Sequence, residues 1–95
     1  VPKEFILGSN YPNPFNPETM IPIELPENCK ISLKIYNILG EEVRTLYQGV
    51  LEIGRHQFTW DGTNQAGQRC PSGIYLYHVN GDNGIKATKR MVLMK

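Results

Sequence analysis

Two histidines, His56 and His78, are the side chains of this sequence best suited to acid–base chemistry or to activating a nucleophile. Such a site needs a hydroxyl or thiol beside the histidine and a carboxylate that orients the ring. No Ser or Cys with a carboxylate partner is arranged around either histidine. His56 is therefore interpreted as a packed residue at the margin of a core, and we predict that the chain is not an enzyme.

Candidate metal ligands are few. Cys29 and Cys70 do not suffice for a zinc site, which takes about four ligands, and they allow at most one disulfide. Asp61, Asn64 and Gly67 faintly resemble a calcium loop, but calcium takes about six to eight oxygens, and a bidentate Glu and a second carboxylate are missing. The alternative is that Asp61 and Asn64 bond their own backbone in turns. We expect no metal and no cofactor.

Length and charge exclude several classes of protein. The 95 residues form one domain, which buries only about 60–65% of the surface of its unfolded chain and leaves no room for a deep cleft. A net charge of +1 gives no reason to bind nucleic acid. No apolar stretch reaches about 18 residues and no cationic start precedes one, so neither a membrane helix nor a signal peptide is predicted. Val1-Pro2 is expected to be the cut end of a longer protein.

Apolar and polar residues alternate through most of the chain, which predicts β-strands. The predicted strands are residues 19–25, 29–36, 41–47, a short piece around Leu51, 55–60, 73–79 and 85–94. Pro22 cannot donate to a ladder, so the first strand is predicted to lie at an edge. About seven short strands with turns between them describe an all-β fold, an antiparallel sandwich of two sheets. The expected core contains Trp60, Phe58, Tyr75, Ile31, Leu33, Ile35, Met91 and Leu93.

A proline-rich arm, residues 11–17, precedes the first strand. It reads Tyr11-Pro12-Asn13-Pro14-Phe15-Asn16-Pro17. Proline fixes its own φ and favours an extended residue before it, so the arm is predicted to be stiff and non-helical. Tyr11 and Phe15 are candidate apolar anchors. The arm is either an ordered lead-in or an exposed recognition element, and we divide the chain into a lead-in at 1–18 and a sandwich at 19–95.

The arm and several later motifs together resemble the C-terminal sorting domains of type IX (Por) secretion. The motifs are Asn10 with the arm, Thr19-x-Ile21, Leu25-Pro26-Glu27, Ile35-Tyr36-Asn37-x-Leu39-Gly40, Gly54-x-His56-x-x-x-Trp60-Asp61-Gly62, Gly67, Ser72-Gly73-x-Tyr75-x-Tyr77 and Lys89-x-Met91-x-Leu93-x-Lys95. The resemblance covers nearly the whole chain. The Trp-Asp-Gly part also resembles the Ig-like domain of flagellar hook-capping proteins.

The resemblance implies an Ig-like antiparallel β-sandwich of about seven strands with no catalysis of its own. It implies a domain that follows a cargo protein, passes through the periplasm and directs the cargo across the outer membrane to the cell surface or medium of a Bacteroidetes-type bacterium. The implied partners are the type IX translocon and a sortase-like surface peptidase that cleaves the domain. A monomer that neither binds nucleic acid nor inserts into the membrane is expected. Trp60, Asp61, Gly62, Gly67, Gly73 and Tyr75 resemble the family's structural signatures.

Two hypotheses follow for the strands of such a sandwich. Cys29 opens the second full strand and Cys70 just precedes the sixth, and in such a sandwich these two strands would face each other across the core and run roughly the same way. The two cysteines therefore either form a disulfide or remain two small buried side chains. The last strand carries Lys86, Lys89, Arg90 and Lys95 and no acid after Asp82. This basic strand is either a solvated, guarded edge or part of what the translocon recognises.

The arm, together with Lys89, Met91, Leu93 and Lys95, is the predicted recognition site, and deleting residues 91–95 is predicted to hold a cargo in the periplasm. A structural assembly module of the flagellar hook-capping type is the first alternative function. A carbohydrate-binding or adhesion sandwich is the second, but it would need an exposed aromatic platform, and most aromatic residues fall on predicted inward positions.

Overall fold

A computed structural model describes residues 4–15 and 17–94 and shows two antiparallel β-sheets packed face to face. The strands are β1 (Ile6–Leu7), β2 (Thr19–Leu25), β3 (Cys29–Asn37), β4 (Glu42–Leu51), β5 (Gly54–Trp60), β6 (Gly73–Gly81) and β7 (Lys86–Leu93). The smaller sheet has the order β1-β2-β5 and the larger the order β4-β3-β6-β7. The predicted all-β sandwich is confirmed. The described residues contain no helix long and apolar enough to cross a membrane.

The core lies between the sheets and is built by alternation along the strands. In β2, every second residue from Thr19 to Leu25 is buried, and β3 repeats the pattern from Cys29 to Ile35. This is the pattern that a sheet with one buried face imposes. Of the expected core, seven side chains are buried and Phe58 is only partly buried. The seven are Trp60, Tyr75, Ile31, Leu33, Ile35, Met91 and Leu93.

The prediction that the first strand, which the structure numbers β2, lies at an edge is wrong. The two-residue strand β1, which no local pattern indicated, pairs with β2 through Ile6 opposite Glu24 and Leu7 opposite Ile23. The Pro22 carbonyl accepts a hydrogen bond from the Gly8 N–H at 2.9 Å. The Pro22 nitrogen lies on the same side of the strand, beyond the end of β1, so the missing N–H costs no bond to β5.

The disulfide hypothesis is also wrong, since both cysteines are free and buried. β3 and β6 are neighbours in one sheet and run antiparallel, so their first residues lie at opposite ends of the sandwich. Cys29 lies opposite Leu51, whereas Cys70 lies near Tyr75, at the other end. Burial is the main cause that raises the pKa of both thiols.

The two ends of the sandwich differ in what they carry. We call the end that carries Leu25, Gly54 and Cys29 the proximal end, because β1 begins near it. The distal end carries Trp60 and Tyr75, whose rings meet edge to face with centroids 5.2 Å apart. The predicted pieces at 41–47 and around Leu51 form one strand, β4, with irregular pairing to β3.

Candidate recognition surface

The arm crosses from one sheet to the other at the distal end. Tyr11 pairs with Met20 of β2. The Tyr11 N–H donates to the Met20 carbonyl at 3.0 Å, and the Tyr11 carbonyl accepts from the Met20 N–H at 2.8 Å. Four residues later, Phe15 pairs in parallel with Leu93 of β7. The Phe15 N–H donates to the Val92 carbonyl at 3.0 Å, and its carbonyl accepts from the Met94 N–H at 2.8 Å. The arm therefore covers the end of β7, which would otherwise be an open sheet edge.

Side chains of the arm fix this crossing. Phe15 is 1% exposed, and its ring lies 5.7 Å from the ring of Trp60. The Asn13 carboxamide oxygen accepts from the Val92 N–H at 3.0 Å. Phe15 is thus the anchor that the sequence predicted. The same prediction is wrong for Tyr11, whose side chain is 51% exposed and which holds the arm through its backbone.

A buried polar network joins the start of the arm to β6. The Tyr77 hydroxyl donates to the Gly8 carbonyl at 2.8 Å and accepts from the Asn10 N–H at 3.0 Å. The Asn10 amide donates to the Thr19 hydroxyl at 3.0 Å, and that hydroxyl donates to the Pro12 carbonyl at 2.9 Å. Burial raises the pKa of Tyr77, against a smaller lowering by the Asn10 backbone bond. Sequence reasoning missed this network because the alternation that buries Tyr77 carries no sign of its partner.

The structure brings the two halves of the predicted recognition site together. Lys89 is exposed, whereas Met91 and Leu93 are buried core residues that support the surface from within. In the arm, Tyr11, Pro12, Asn13, Pro14 and Pro17 are exposed and form its outer surface. Asn16 and Lys95 lie outside the described residues.

The Trp60-Asp61-Gly62 segment begins a loop that closes the distal end. The Asp61 carboxylate accepts from the Thr63 N–H at 3.1 Å and from the Thr63 hydroxyl at 2.5 Å. The Asn64 carboxamide oxygen accepts from two backbone N–H groups further along the loop. The interpretation that Asp61 and Asn64 bond their own loop is confirmed. The hydroxyl bond from Thr63 is the largest cause that holds the pKa of Asp61 below its usual value.

Gly62 occupies a position where any other residue would be strained. Its φ of +79° belongs to the left-handed region, and an added Cβ would lie 3.2 Å from the Pro17 carbonyl oxygen. The adjacent Trp60 indole donates to the Thr63 carbonyl at 2.9 Å. The glycine thus lets the loop lie closely against the end of the arm.

The histidines take part in local bonds away from this surface. His56 Nε2 lies 2.8 Å from the Glu52 carbonyl, and His78 Nδ1 lies 2.6 Å from the Thr88 hydroxyl. Burial, and then the charge of Lys86, lowers the pKa of His78. Within the described part of the chain, no three His, Cys, Asp or Glu side chains are grouped so that they could hold a metal ion.

Comparison with known proteins relates this chain to one protein family. A family model described as the FlgD Ig-like domain matches residues 13–84. The basal-body rod modification protein FlgD of Escherichia coli is 40% identical over 55 residues, which are 58% of this chain and 24% of that protein. Its Salmonella typhimurium counterpart is 37% identical over 71 residues, 75% of this chain and 28% of that protein. The chain spans about a quarter of the length of these relatives.

Two solved structures share the fold. Dimeric latent PorU from Porphyromonas gingivalis superposes with a TM-score of 0.73 and 22% identity, covering 96% of this chain and 9% of that chain. The second structure is PorZ, described as an essential bacterial surface component of the type IX secretion system of the same organism. It superposes with a TM-score of 0.61 and 25% sequence identity, covering 92% of this chain and 11% of that chain. The comparisons together support the predicted Ig-like fold of the sorting-domain type.

Proposed function

This chain belongs to the FlgD Ig-like domain family, and from that premise we propose that it is a non-catalytic sorting domain that directs a cargo protein across the outer membrane by type IX secretion. The likeness to PorZ, a surface component of that system, supports the secretion role. The cargo would precede the domain, cross the periplasm with it, and reach the cell surface or medium. The partners would be the translocon and a sortase-like peptidase, and the domain would bind them as a monomer.

The observation that carries the proposal is the joining of the arm to the end of β7. Two segments proposed for recognition, 79 positions apart at Asn13 and Val92, are held side by side by a direct hydrogen bond. They lie at the distal end, away from the end where β1 enters and where a preceding cargo would connect. The proline-rich arm is anchored by Phe15, so little flexibility is lost when a partner binds its outer surface.

The proposal is tested with a periplasmic reporter fused ahead of residues 1–95 in a type IX-secreting bacterium. Deleting residues 91–95 would remove Met91 and Leu93 from the core, so it would report on folding as well as on recognition. Exposed residues are better targets, and we choose the double variant Tyr11→Ser with Lys89→Glu. The matched control is Val50→Ser with Lys30→Glu, which changes an exposed apolar residue and an exposed lysine at the proximal end.

The wild-type fusion is expected in the medium or on the cell surface, as is the control. The Tyr11/Lys89 variant is expected to accumulate in the periplasm although its melting temperature is unchanged. Periplasmic retention of the wild-type fusion would contradict the sorting role. Normal export of the folded Tyr11/Lys89 variant would contradict the site.

A second candidate function is an assembly module, because the curated relatives are basal-body rod modification proteins. In that role the sandwich would pack against sister subunits. Replacing the matching segment of Escherichia coli FlgD with this domain, followed by a motility assay, separates the two candidates. Restored motility would favour assembly, whereas loss of motility combined with export of the reporter fusion would favour sorting.

A further inference from the structure

The outer edge of β7 is paired at its distal end and open along the rest. Val92 bonds the arm through both its N–H and its carbonyl, so both groups point away from β6. Successive residues of a strand turn these groups to opposite sides, and β7 pairs with β6 residue for residue. Lys86, Thr88 and Arg90 therefore also point their N–H and carbonyl groups away from β6.

These outward groups have no partner. Within the described part of the chain, no group forms a hydrogen bond with the outward N–H and carbonyl groups of Lys86, Thr88 and Arg90. We call residues 86–90 the open edge. A row of such groups is the template that an added strand uses. The arm shows that β7 accepts a strand on this side, since it pairs in parallel with Leu93 just beyond the open edge.

The open edge is positively charged. Lys86, Lys89 and Arg90 are exposed, and neither ion pair found among the described residues involves them. β6, β1 and the arm all contact β7, and none of the three carries an acidic residue. The carboxylate nearest along the chain, Asp82, lies before β7 at the proximal end, where burial and then the charge of Asp82 raise the pKa of Cys29.

This charge decides which strand the open edge favours. Antiparallel pairing of two β7 strands about Thr88 would set Lys86 of one copy opposite Arg90 of the other. Like charges in opposed positions destabilise a sheet, whereas opposite charges stabilise it. A second copy of this chain is therefore disfavoured, and a strand that carries carboxylates is favoured.

We propose that the open edge binds an extended, acidic segment of another protein by strand addition. The backbone of about five residues of that segment would bond the outward groups of β7, and its carboxylates would lie beside Lys86 and Arg90, which share the outer face of the larger sheet. The segment would end against Asn13, where the arm begins to pair with β7. The inference rests on the proposed function only in taking the segment to be part of the export machinery.

The direct test uses the purified reporter fusion and a fluorescent peptide of alternating Glu and Thr. The matched control peptide has Lys in place of Glu. Fluorescence anisotropy is expected to show binding of the acidic peptide and at least tenfold weaker binding of the basic one. The charge reversal Lys86→Glu with Arg90→Glu should invert that preference. The reversal Lys30→Glu with Arg69→Glu changes the net charge equally at exposed positions outside β7, and it should leave the preference as it is.

Hydrogen exchange shows whether the bound peptide forms a strand. The acidic peptide should slow exchange at the amides of Thr88 and Arg90, whose N–H groups point to the open edge. The amides of Ala87 and Met91 point to β6 and should exchange at an unchanged rate. A purely ionic contact would not produce this alternation.

A proline variant tests the same point without changing a charge. Thr88→Pro removes one outward N–H, and an edge strand tolerates proline where its N–H faces solvent. Thr88→Ala is the matched control, because both variants lose the hydroxyl that bonds His78 and only the proline variant loses the N–H. Thr88→Pro should bind the acidic peptide about tenfold more weakly than Thr88→Ala, which corresponds to about 1.4 kcal/mol. Their melting temperatures show whether both are folded, and if Thr88→Pro is not, the exchange of the wild type decides.

Several results would overturn the proposal. They are no binding of the acidic peptide, equal binding of the two peptides, an equal effect of the two charge reversals, binding without slower exchange at positions 88 and 90, or equal affinities of the folded proline and alanine variants. Export of the wild-type fusion in the secreting host is scored separately. Export without peptide binding overturns strand addition alone. Peptide binding with the expected exchange pattern, by a fusion that stays in the periplasm, overturns the sorting role and keeps the strand-addition site.

Discussion

Phe15 is the buried side chain that anchors the arm, and replacing it with Ala measures how much that anchor contributes to stability. Phe15 is 1% exposed and packs on Trp60, so the substitution removes a whole buried ring and leaves a cavity in the core. Phe-to-Ala changes in cores cost about 3–5 kcal/mol. A domain of this length has a total stability of about 5–14 kcal/mol. The variant is therefore expected to lose a large share of its free energy of unfolding.

Urea unfolding followed by tryptophan fluorescence is the suitable assay, because Trp60 is the single tryptophan of the chain, is buried, and touches the deleted ring. With a slope of about 2 kcal/mol per molar urea, the midpoint should fall by about 1.5–2.5 M. The matched control is Tyr11→Ala, whose side chain is half exposed. It should cost about 0.5 kcal/mol or less, as surface substitutions do.

A loss of less than about 1 kcal/mol in the free energy of unfolding of Phe15→Ala would contradict the role of Phe15 as a buried anchor, since removing a ring from a packed core costs more than that. An equal loss for Tyr11→Ala and Phe15→Ala would contradict it as well. That result would mean that the backbone pairing of the arm depends on the exposed ring.

Three further predictions concern buried and titrating groups. Tyr77→Phe leaves the Asn10 N–H without its partner and should destabilise the domain by about 1–3 kcal/mol in urea unfolding, with no change in the far-ultraviolet circular dichroism spectrum. Because the folded pKa of Asp61 lies below the unfolded value, its stabilisation is present above the unfolded pKa, about 3.9, and is lost as the pH falls through the folded pKa. Between pH 6 and pH 3 the free energy of unfolding should therefore fall less for Asp61→Asn than for the wild type. An equal fall in the two proteins would contradict the lowered pKa of Asp61. Cys29 and Cys70 should react with a thiol reagent only after denaturation and without prior reduction, and a 2 Da mass increase on reduction would contradict the free thiols.

The alternation of apolar and polar residues predicted much of the fold, because the burial of Ile31, Leu33 and Ile35 in β3 follows from the types of neighbouring residues. It failed where the answer depends on distant pairing. β1 has only two residues and no pattern of its own, so the position of β2 in its sheet could not be read locally. The direction of β6 relative to β3 separates the two cysteines, and that direction is set by the sheet and not by the spacing along the chain.

The candidate site shows the same division. The prolines indicated a stiff arm and the alternation in β7 buried Met91, both from local residue types. Nothing in the sequence indicated that Asn13 would accept from Val92 or that Tyr77 would bond the start of the arm. Those contacts join segments about seventy to eighty positions apart, and only the closed sandwich creates them.

The parallel pairing of Phe15 with Leu93 has a consequence for synthesis and degradation. The arm is synthesised before its partner on β7, because Phe15 precedes Leu93 by most of the length of the domain. A nascent or shortened chain that lacks β7 exposes the Phe15 ring and leaves the arm unpaired. The arm would therefore take up its native position only after the whole domain has been translated and folded. In an incomplete chain the unpaired arm would be accessible to proteases.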